Sequence, residues 1–165
     1  MLPTIRHFSS STSATSIASQ FLSKSQSQPP HVQTQLLDAN QLQRFSATLS
    51  RPELSKSLPK NGTPFPACYH LAYFTPSQLE DELGRDGTDT TFNPSSPFTR
   101  RMWAGGELEW IGCEGNRLKV GQEVTETTKL VSAVGKRMRA GEEMVVVGVE
   151  KLYENGHGVA LIDKR

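Results

Sequence analysis

The sequence has 165 residues, which is room for one domain and a terminal tail. Its 18 basic and 17 acidic residues give a net charge of +1, which excludes the strongly basic class typical of nucleic-acid binders. No run approaches the roughly 18 consecutive apolar residues of a membrane-spanning helix, so no membrane span is expected.

Residues 1–28 are rich in serine and free of acidic residues. They contain nine serines together with Arg6 and Lys24, and the first acid of the chain is Asp38. A serine-rich, weakly cationic and acid-poor leader is typical of a mitochondrial transit peptide, and the continuous apolar core of a secretory signal is missing. We therefore predict a location in the mitochondrial matrix. The alternative is a disordered tail that carries no address.

A linker and an amphipathic helix are predicted over residues 29–58. After a Pro-Pro pair, a helix is predicted within Gln33–Leu49, with Asp38 as its N-cap and apolar residues at three- and four-residue spacing. Such a stripe usually packs against the protein's own core. A helix that binds a partner is the alternative.

Five strands are predicted in residues 59–165, which we assign to one domain. The segment 68–74 is rich in aromatic residues, which favours a strand. Asn155-Gly156 between apolar runs indicates a hairpin turn. Short connections between successive strands predict an antiparallel meander and the α+β class. The predicted strands cover residues 68–74, 100–110, 122–134, 143–153 and 157–163.

The most informative stretch runs from Phe98 to Gln122. It contains Arg100-Arg101-Met102-Trp103-Ala104-Gly105-Gly106-Glu107-Leu108-Glu109 and, after an insertion at residues 112–116, Arg117-Leu118-Lys119-Val120-Gly121. The glycine pair inside a strand pattern predicts a bulge or a close approach of another backbone or a ligand. The two blocks resemble the N-terminal half of MaoC-like dehydratases. The likeness is closest to mesaconyl-C4-CoA hydratases and to fungal mitochondrial hydroxyacyl-thioester dehydratases of type 2, although the insertion departs from the family's direct join.

The resemblance implies a hot-dog fold with a reduced central helix, present here as one half of a double hot-dog. It implies dehydration of 3-hydroxyacyl thioesters or hydration of enoyl thioesters in mitochondrial fatty-acid metabolism. The acyl group would be carried by an acyl-carrier protein or by coenzyme A, and these two substrates stay open. The expected protein partner is a second hot-dog half or another copy of the chain.

Two sets of side chains are candidates for contact with such a substrate. The first would line the acyl pocket and consists of Met102, Trp103, Gly105 and Gly106. The second is cationic, would meet a coenzyme A phosphate or an acidic carrier protein, and consists of Arg100, Arg101, Arg117 and Lys119. Strand packing for the first set and solvated surface charge for the second are the alternatives.

The catalytic histidine of the superfamily has no counterpart in this sequence. The resemblance implies a His with an Asp or Asn five residues ahead of it, and none of the four histidines has one. His157 belongs to the predicted hairpin turn, so His70 is the candidate on a predicted strand, and a core histidine is the alternative reading. A carboxylate from the loop that follows could still reach it, for instance from Asp81, Asp86 or Asp89.

We therefore predict that the chain carries no catalytic residue of its own and represents the non-catalytic half of a dehydratase. A catalytically silent hot-dog module that binds an acyl thioester or a partner subunit is the main alternative. An incomplete gene model is a third.

No cofactor or metal is expected. The sequence contains no P-loop, no dinucleotide-binding glycine pattern and no zinc-ligand spacing. The two cysteines, Cys68 and Cys113, form no Cys-x-x-Cys, and a matrix protein would keep them reduced.

Overall fold

The computed structural model describes residues 13–111 and 114–165. The helices and strands are, in chain order, α1 (Ala14–Gln26), β1 (His31–Leu36), α2 (Ala39–Thr48), α3 (Pro52–Ser55), β2 (Glu107–Trp110), β3 (Glu123–Arg137), β4 (Glu143–Asn155) and β5 (Gly158–Lys164). Short 3-10 turns cover Tyr69–Ala72, Glu80–Glu82 and Glu114–Asn116.

The strands form one five-stranded sheet in the order β1-β3-β4-β5-β2. Every pair of neighbouring strands is antiparallel. The predicted fold class is confirmed: the chain is an α+β protein whose sheet and few helices are those of a hot-dog fold.

The last three strands form the predicted meander. The turn between β4 and β5 is closed by the pairing of Asn155 with Gly158. The side-chain carbonyl of Asn155 accepts the backbone N–H of His157 at 2.8 Å. The hairpin predicted from Asn155-Gly156 is therefore confirmed, because this local bonding is what an asparagine contributes to a tight turn.

The strand predicted over residues 68–74 is wrong. Tyr69–Ala72 is a 3-10 turn that follows Cys68, whose φ of 67° lies in the left-handed region. The buried residues of this segment are Tyr69, His70, Tyr73 and Phe74. They recur after four positions, which is a helical repeat, whereas a half-buried strand would have buried every second residue.

The region 29–58, predicted as linker and helix, also contains a strand. Residues His31–Leu36 form β1, and the helix begins only after Asp38. The predicted cap is confirmed, because the Asp38 carboxylate accepts the N–H of Gln41 at 2.9 Å. Leu42 of the helix is fully buried in the core, so the prediction that this helix packs on its own domain is confirmed.

Strand β2 is shorter than the predicted 100–110 and begins at Glu107. Its partner is β5, where Lys164 lies opposite Glu107 and is the last strand residue. The next residue, Arg165, pairs with Val149 of β4. Residues 100–106 lie outside the sheet, and the backbone of Gly106 approaches β5 so closely that a Cβ there would lie 2.8 Å from the carbonyl oxygen of Lys164.

Residues 14–26 of the predicted leader form helix α1. Ser13 caps the helix by accepting the N–H of Ser16. Three of its residues, Ala14, Ile17 and Ala18, are buried. From residue 14 onward the segment is thus not a disordered tail, whereas the transit peptide concerns location and stays a prediction.

The main hydrophobic core lies between the sheet and the segment that carries α2 and the 3-10 turn at residues 69–72. Its buried members are Leu37, Leu42, Tyr69, Tyr73, Phe74, Leu118, Val120, Val124, Tyr153, Ala160 and Leu161. The aromatic rings pack edge to face, as in Phe74 against Tyr153 at 5.0 Å between centroids. This packing holds the 69–74 segment against the sheet and places His70 beside Tyr153 of β4.

Candidate functional site

A group of ionisable side chains lies at the covered face of the sheet. We call it the polar centre; it consists of His70, Glu126, Lys151, Asp163 and Arg165. Residues directly opposite each other in antiparallel strands point to the same face. Glu126 of β3 lies opposite Tyr153 of β4. Lys151, two residues before Tyr153 and so on the same side of β4, lies opposite Asp163 of β5. The sheet therefore gathers these side chains on one face from positions far apart in sequence.

Glu126 is 1% exposed and is held by three donors. Its Oε1 accepts from Lys151 Nζ at 2.9 Å, Thr128 Oγ1 at 2.8 Å and Gln33 Nε2 at 3.2 Å. Burial alone would raise the pKa of this carboxyl, but the hydrogen bond and charge of Lys151 outweigh it, so the pKa is lowered. Glu126 is therefore ionised at neutral pH and bound to a cation.

Asp163 is 2% exposed and forms a second ion pair. The guanidinium of Arg165 donates from Nε to Oδ1 at 3.1 Å and from Nη2 to Oδ2. This hydrogen bonding raises the pKa of Arg165. Arg165 is also fixed through its main chain, because its N–H and carbonyl pair with those of Val149. The two pairs balance the charge of the polar centre.

His70 is 2% exposed and lies against Tyr153, with ring centroids 4.9 Å apart. Burial lowers the pKa of His70 to about 4, against the opposing charge of Asp163. The imidazole is therefore neutral at pH 7. Its Nε2 has no hydrogen-bond partner among the described residues, and neither has Oε2 of Glu126.

The carboxylates beside His70 are not those that the sequence suggested. Asp81 and Asp86 are exposed in the loop, and Asp89 is bonded to Gln78 and Thr91 within the same loop. The charges that act on His70 come instead from the polar centre, with Asp163 the strongest among them. Sequence distance hid this contact, because it depends on the pairing of β3, β4 and β5.

The contacts of the polar centre are suited to stabilising the sheet rather than to transferring protons. Both carboxylates are bound to cations, and the neutral imidazole near them is shut off from solvent. A general base must reach the proton that it removes, and nothing of His70 is open to a substrate in this conformation. The polar centre is thus a charge-balanced set of ion pairs on the covered face of the sheet.

The predicted pocket residues lie at the surface beside one edge of the polar centre. Met102 and Trp103 are 83% and 69% exposed, and the guanidinium carbon of Arg165 lies 5.5 Å from the centroid of the Trp103 ring. A Cβ on Gly106 would lie 2.8 Å from the carbonyl oxygen of Lys164, so the predicted close approach is confirmed for this glycine. Gly105 has φ of 149° and open space around it. Contact of these residues with a substrate stays a prediction.

The predicted cationic residues occupy different settings. Arg101 is bound within the loop, donating to Asn93 Oδ1 at 2.7 Å and to the carbonyl of Asp89 at 2.6 Å. Arg100 and Arg117 are exposed. Lys119 is partly buried, and its backbone pairs in antiparallel fashion with that of Pro64. Arg101 therefore orders the loop, and contact of the set with coenzyme A or a carrier protein stays a prediction.

Cys68 is an exposed free thiol, and Cys113 lies outside the described residues. In the described part of the chain, no group of three or more His, Cys, Asp or Glu side chains is placed to hold a metal ion. No helix within that part is both long and apolar enough to cross a membrane.

The fold and the charged, sheet-centred site define an α+β protein of the hot-dog class. Residues 68–165 match the family described as hydroxyacyl-thioester dehydratase type 2. Because the match covers more than half of the chain, the protein belongs to this family. A comparison with curated proteins found no match.

Proposed function

We propose that this chain is the N-terminal half of a 3-hydroxyacyl-thioester dehydratase, or enoyl-thioester hydratase, of mitochondrial fatty-acid metabolism. Membership of a family that acts on hydroxyacyl thioesters supports the reaction class. The substrate would be an acyl group on an acyl-carrier protein or on coenzyme A. The chain would shape the acyl pocket and brace a second hot-dog half that carries the catalytic histidine.

The observation that carries the non-catalytic role is the state of the polar centre. His70 is the only buried histidine of the described residues, and both carboxylates near it are bound to cations. The sequence also has no Asp or Asn five residues ahead of a His. General acid–base catalysis needs a reachable group whose pKa is near the working pH, and a buried His70 with a pKa of about 4 is neither.

Reconstitution tests this assignment. The purified chain is mixed with a separately purified hot-dog half that bears the Asp/Asn–His pair, and hydration of crotonyl-CoA is followed by loss of the enoyl absorbance. We expect the mixture to exceed the activity of the catalytic half alone, because the acyl pocket is then complete. Equal activity with and without the chain would favour a silent module that binds a thioester or a partner subunit.

The mitochondrial location is tested separately. The acid-free, serine-rich leader supports it. We expect residues 1–28 to direct a fluorescent reporter to mitochondria, and a reporter that stays in the cytosol would contradict the location without affecting the reaction class.

A further inference from the structure

Helix α1 lies inside the predicted leader and yet packs closely on the sheet. Its buried residues Ala14, Ile17 and Ala18 are 3%, 4% and 1% exposed. The backbone N–H of Ala14 donates to a carboxylate oxygen of Glu143 at 2.9 Å. The start of the helix is therefore tied to β4 by a charged acceptor, in addition to its apolar contacts.

The closest contact is between backbones. A Cβ on Gly135 of β3 would lie 2.5 Å from the carbonyl carbon of Ala14 and 2.7 Å from Cα of Thr15. Side chains can rotate away from a clash, but two main chains cannot separate without moving the whole helix. Position 135 thus admits glycine because α1 rests directly on the strand.

The register shows which face α1 covers. Gly135 lies opposite Val145, and alternate residues along β4 lead from Val145 to Val149, Lys151 and Tyr153 on one face. Helix α1 therefore sits on the face that holds the polar centre. Leu130 and Val149 are buried on this face but lie outside the main core, as do the buried residues of α1.

We propose that α1 belongs to the working domain and is retained in the mature protein, so that any cleavage of the leader takes place N-terminal to Ser13. Cleavage near residue 28 would remove a buried helix, leave the Glu143 carboxylate without the N–H of Ala14 and open an apolar part of the sheet to water. The inference shares the mitochondrial leader with the proposed function, and it is independent of the catalytic role.

The mature N-terminus gives the direct test. The full chain is expressed in cells, mitochondria are isolated, and the N-terminal peptide is identified by mass spectrometry. We expect a terminus at or before Ser13. A chain that is not cleaved also retains α1 and supports the inference, although it would weaken the leader prediction. A terminus within or after α1 would overturn the inference.

Paired substitutions in the full chain test whether α1 contributes to the fold. Ile17→Ala removes a buried side chain, whereas Ser19→Ala changes an exposed position of the same helix. We expect Ile17→Ala to lower the folding equilibrium constant at least about 30-fold and Ser19→Ala to change it by no more than about twofold. Equal effects of the two would show that α1 is not docked and would overturn the inference.

A glycine pair provides a second comparison. Gly135→Ala introduces a methyl group against the backbone of α1, whereas Gly156→Ala introduces one where no atom lies within 4 Å. We expect trypsin to cleave the folded Gly135→Ala variant after Lys24, near the end of α1, at least about tenfold faster than it cleaves the unchanged chain. Cleavage that is as fast in Gly156→Ala or in the unchanged chain would contradict docking.

Discussion

His70 shows how burial sets the charge of one residue. Four charged groups of the polar centre act on its imidazole, yet the largest effect is the loss of solvent, which favours the neutral form. The positive charges of Arg165 and Lys151 act in the same direction, while Asp163 and Glu126 oppose them. The protein therefore keeps a neutral histidine beside two carboxylates.

This neutral histidine predicts a pH dependence of stability. In the unfolded chain His70 has its ordinary pKa of 6.5, and in the folded chain the pKa is about 4. As the pH falls below 6.5 the unfolded state binds a proton that the folded state refuses, so stability decreases. We expect a loss of about 2–3 kcal/mol between pH 7.5 and 4.5, measured by urea unfolding.

The variant His70→Gln is the control, because it keeps a polar side chain that does not titrate. We expect most of the loss over this pH range to disappear in His70→Gln. Glu126 contributes little to this loss, because its stabilisation is lost mainly as the pH falls below its ordinary pKa of 4.5 toward its lowered pKa in the folded chain, and that contribution is present in both proteins. The same loss in both proteins would show that His70 is not buried in its neutral form.

At the scale of elements, the sequence predicts those features that depend on hydrogen bonds between residues close in the chain. The Asp38 cap and the Asn155-Gly156 turn were found from the sequence because each depends on hydrogen bonds within a few residues. Strand β1 was missed for a physical reason: its apolar residues Val32 and Leu36 face solvent, while Gln33 reaches across to Glu126. A strand whose polar side is the covered one inverts the pattern by which strands are usually found.

The sequence does not predict the polar centre, because its residues come together only when separate strands pair. Glu126 lies two residues after Val124 in β3, and Asp163 two residues after Leu161 in β5, so each acid continues the buried side of its own strand. The sequence of each strand indicates that its acid is buried, but it does not indicate which residues of neighbouring strands lie opposite each other. The carboxylates that were considered near His70 lie in a loop that forms its own hydrogen bonds.

The start of α2 offers a prediction at this scale. Replacing Asp38 with alanine removes the side-chain acceptor of the Gln41 N–H, and we expect a loss of about 1 kcal/mol in the free energy of unfolding. Asp38→Asn retains an acceptor and should cost no more than a few tenths of a kcal/mol. Thermal or urea unfolding of both variants measures the difference, and equal losses would mean that the cap does not stabilise the helix.

At the scale of the whole molecule, the described residues cover one face of the sheet and leave apolar side chains exposed on the other. Val32, Leu36 and Val134 are 55%, 54% and 51% exposed. Residues 32 and 36 alternate with Gln33, and Val134 alternates with Gly135, so these side chains point away from α1 and the polar centre. The sheet also ends in two edge strands, β1 and β2.

Exposed apolar side chains and open edges predict association of the isolated chain. We expect the purified protein to self-associate or precipitate unless its complementary half is present, as measured by light scattering at micromolar concentration. Val32→Thr with Val134→Thr should reduce the association, because both residues lie on the uncovered face. A stable monomer of the unchanged chain would contradict the prediction.

We propose that this member of the dehydratase family has no catalytic Asp/Asn–His pair within its 165 residues. The most direct test of this claim is hydration of crotonyl-CoA or mesaconyl-CoA by the purified chain alone. General acid–base catalysis typically contributes about 10²–10⁴-fold, and we propose that the buried, neutral His70 beside two ion-paired carboxylates does not supply it. We therefore expect no turnover above background. Turnover by the isolated chain that disappears in His70→Ala would contradict the claim and make His70 the catalyst.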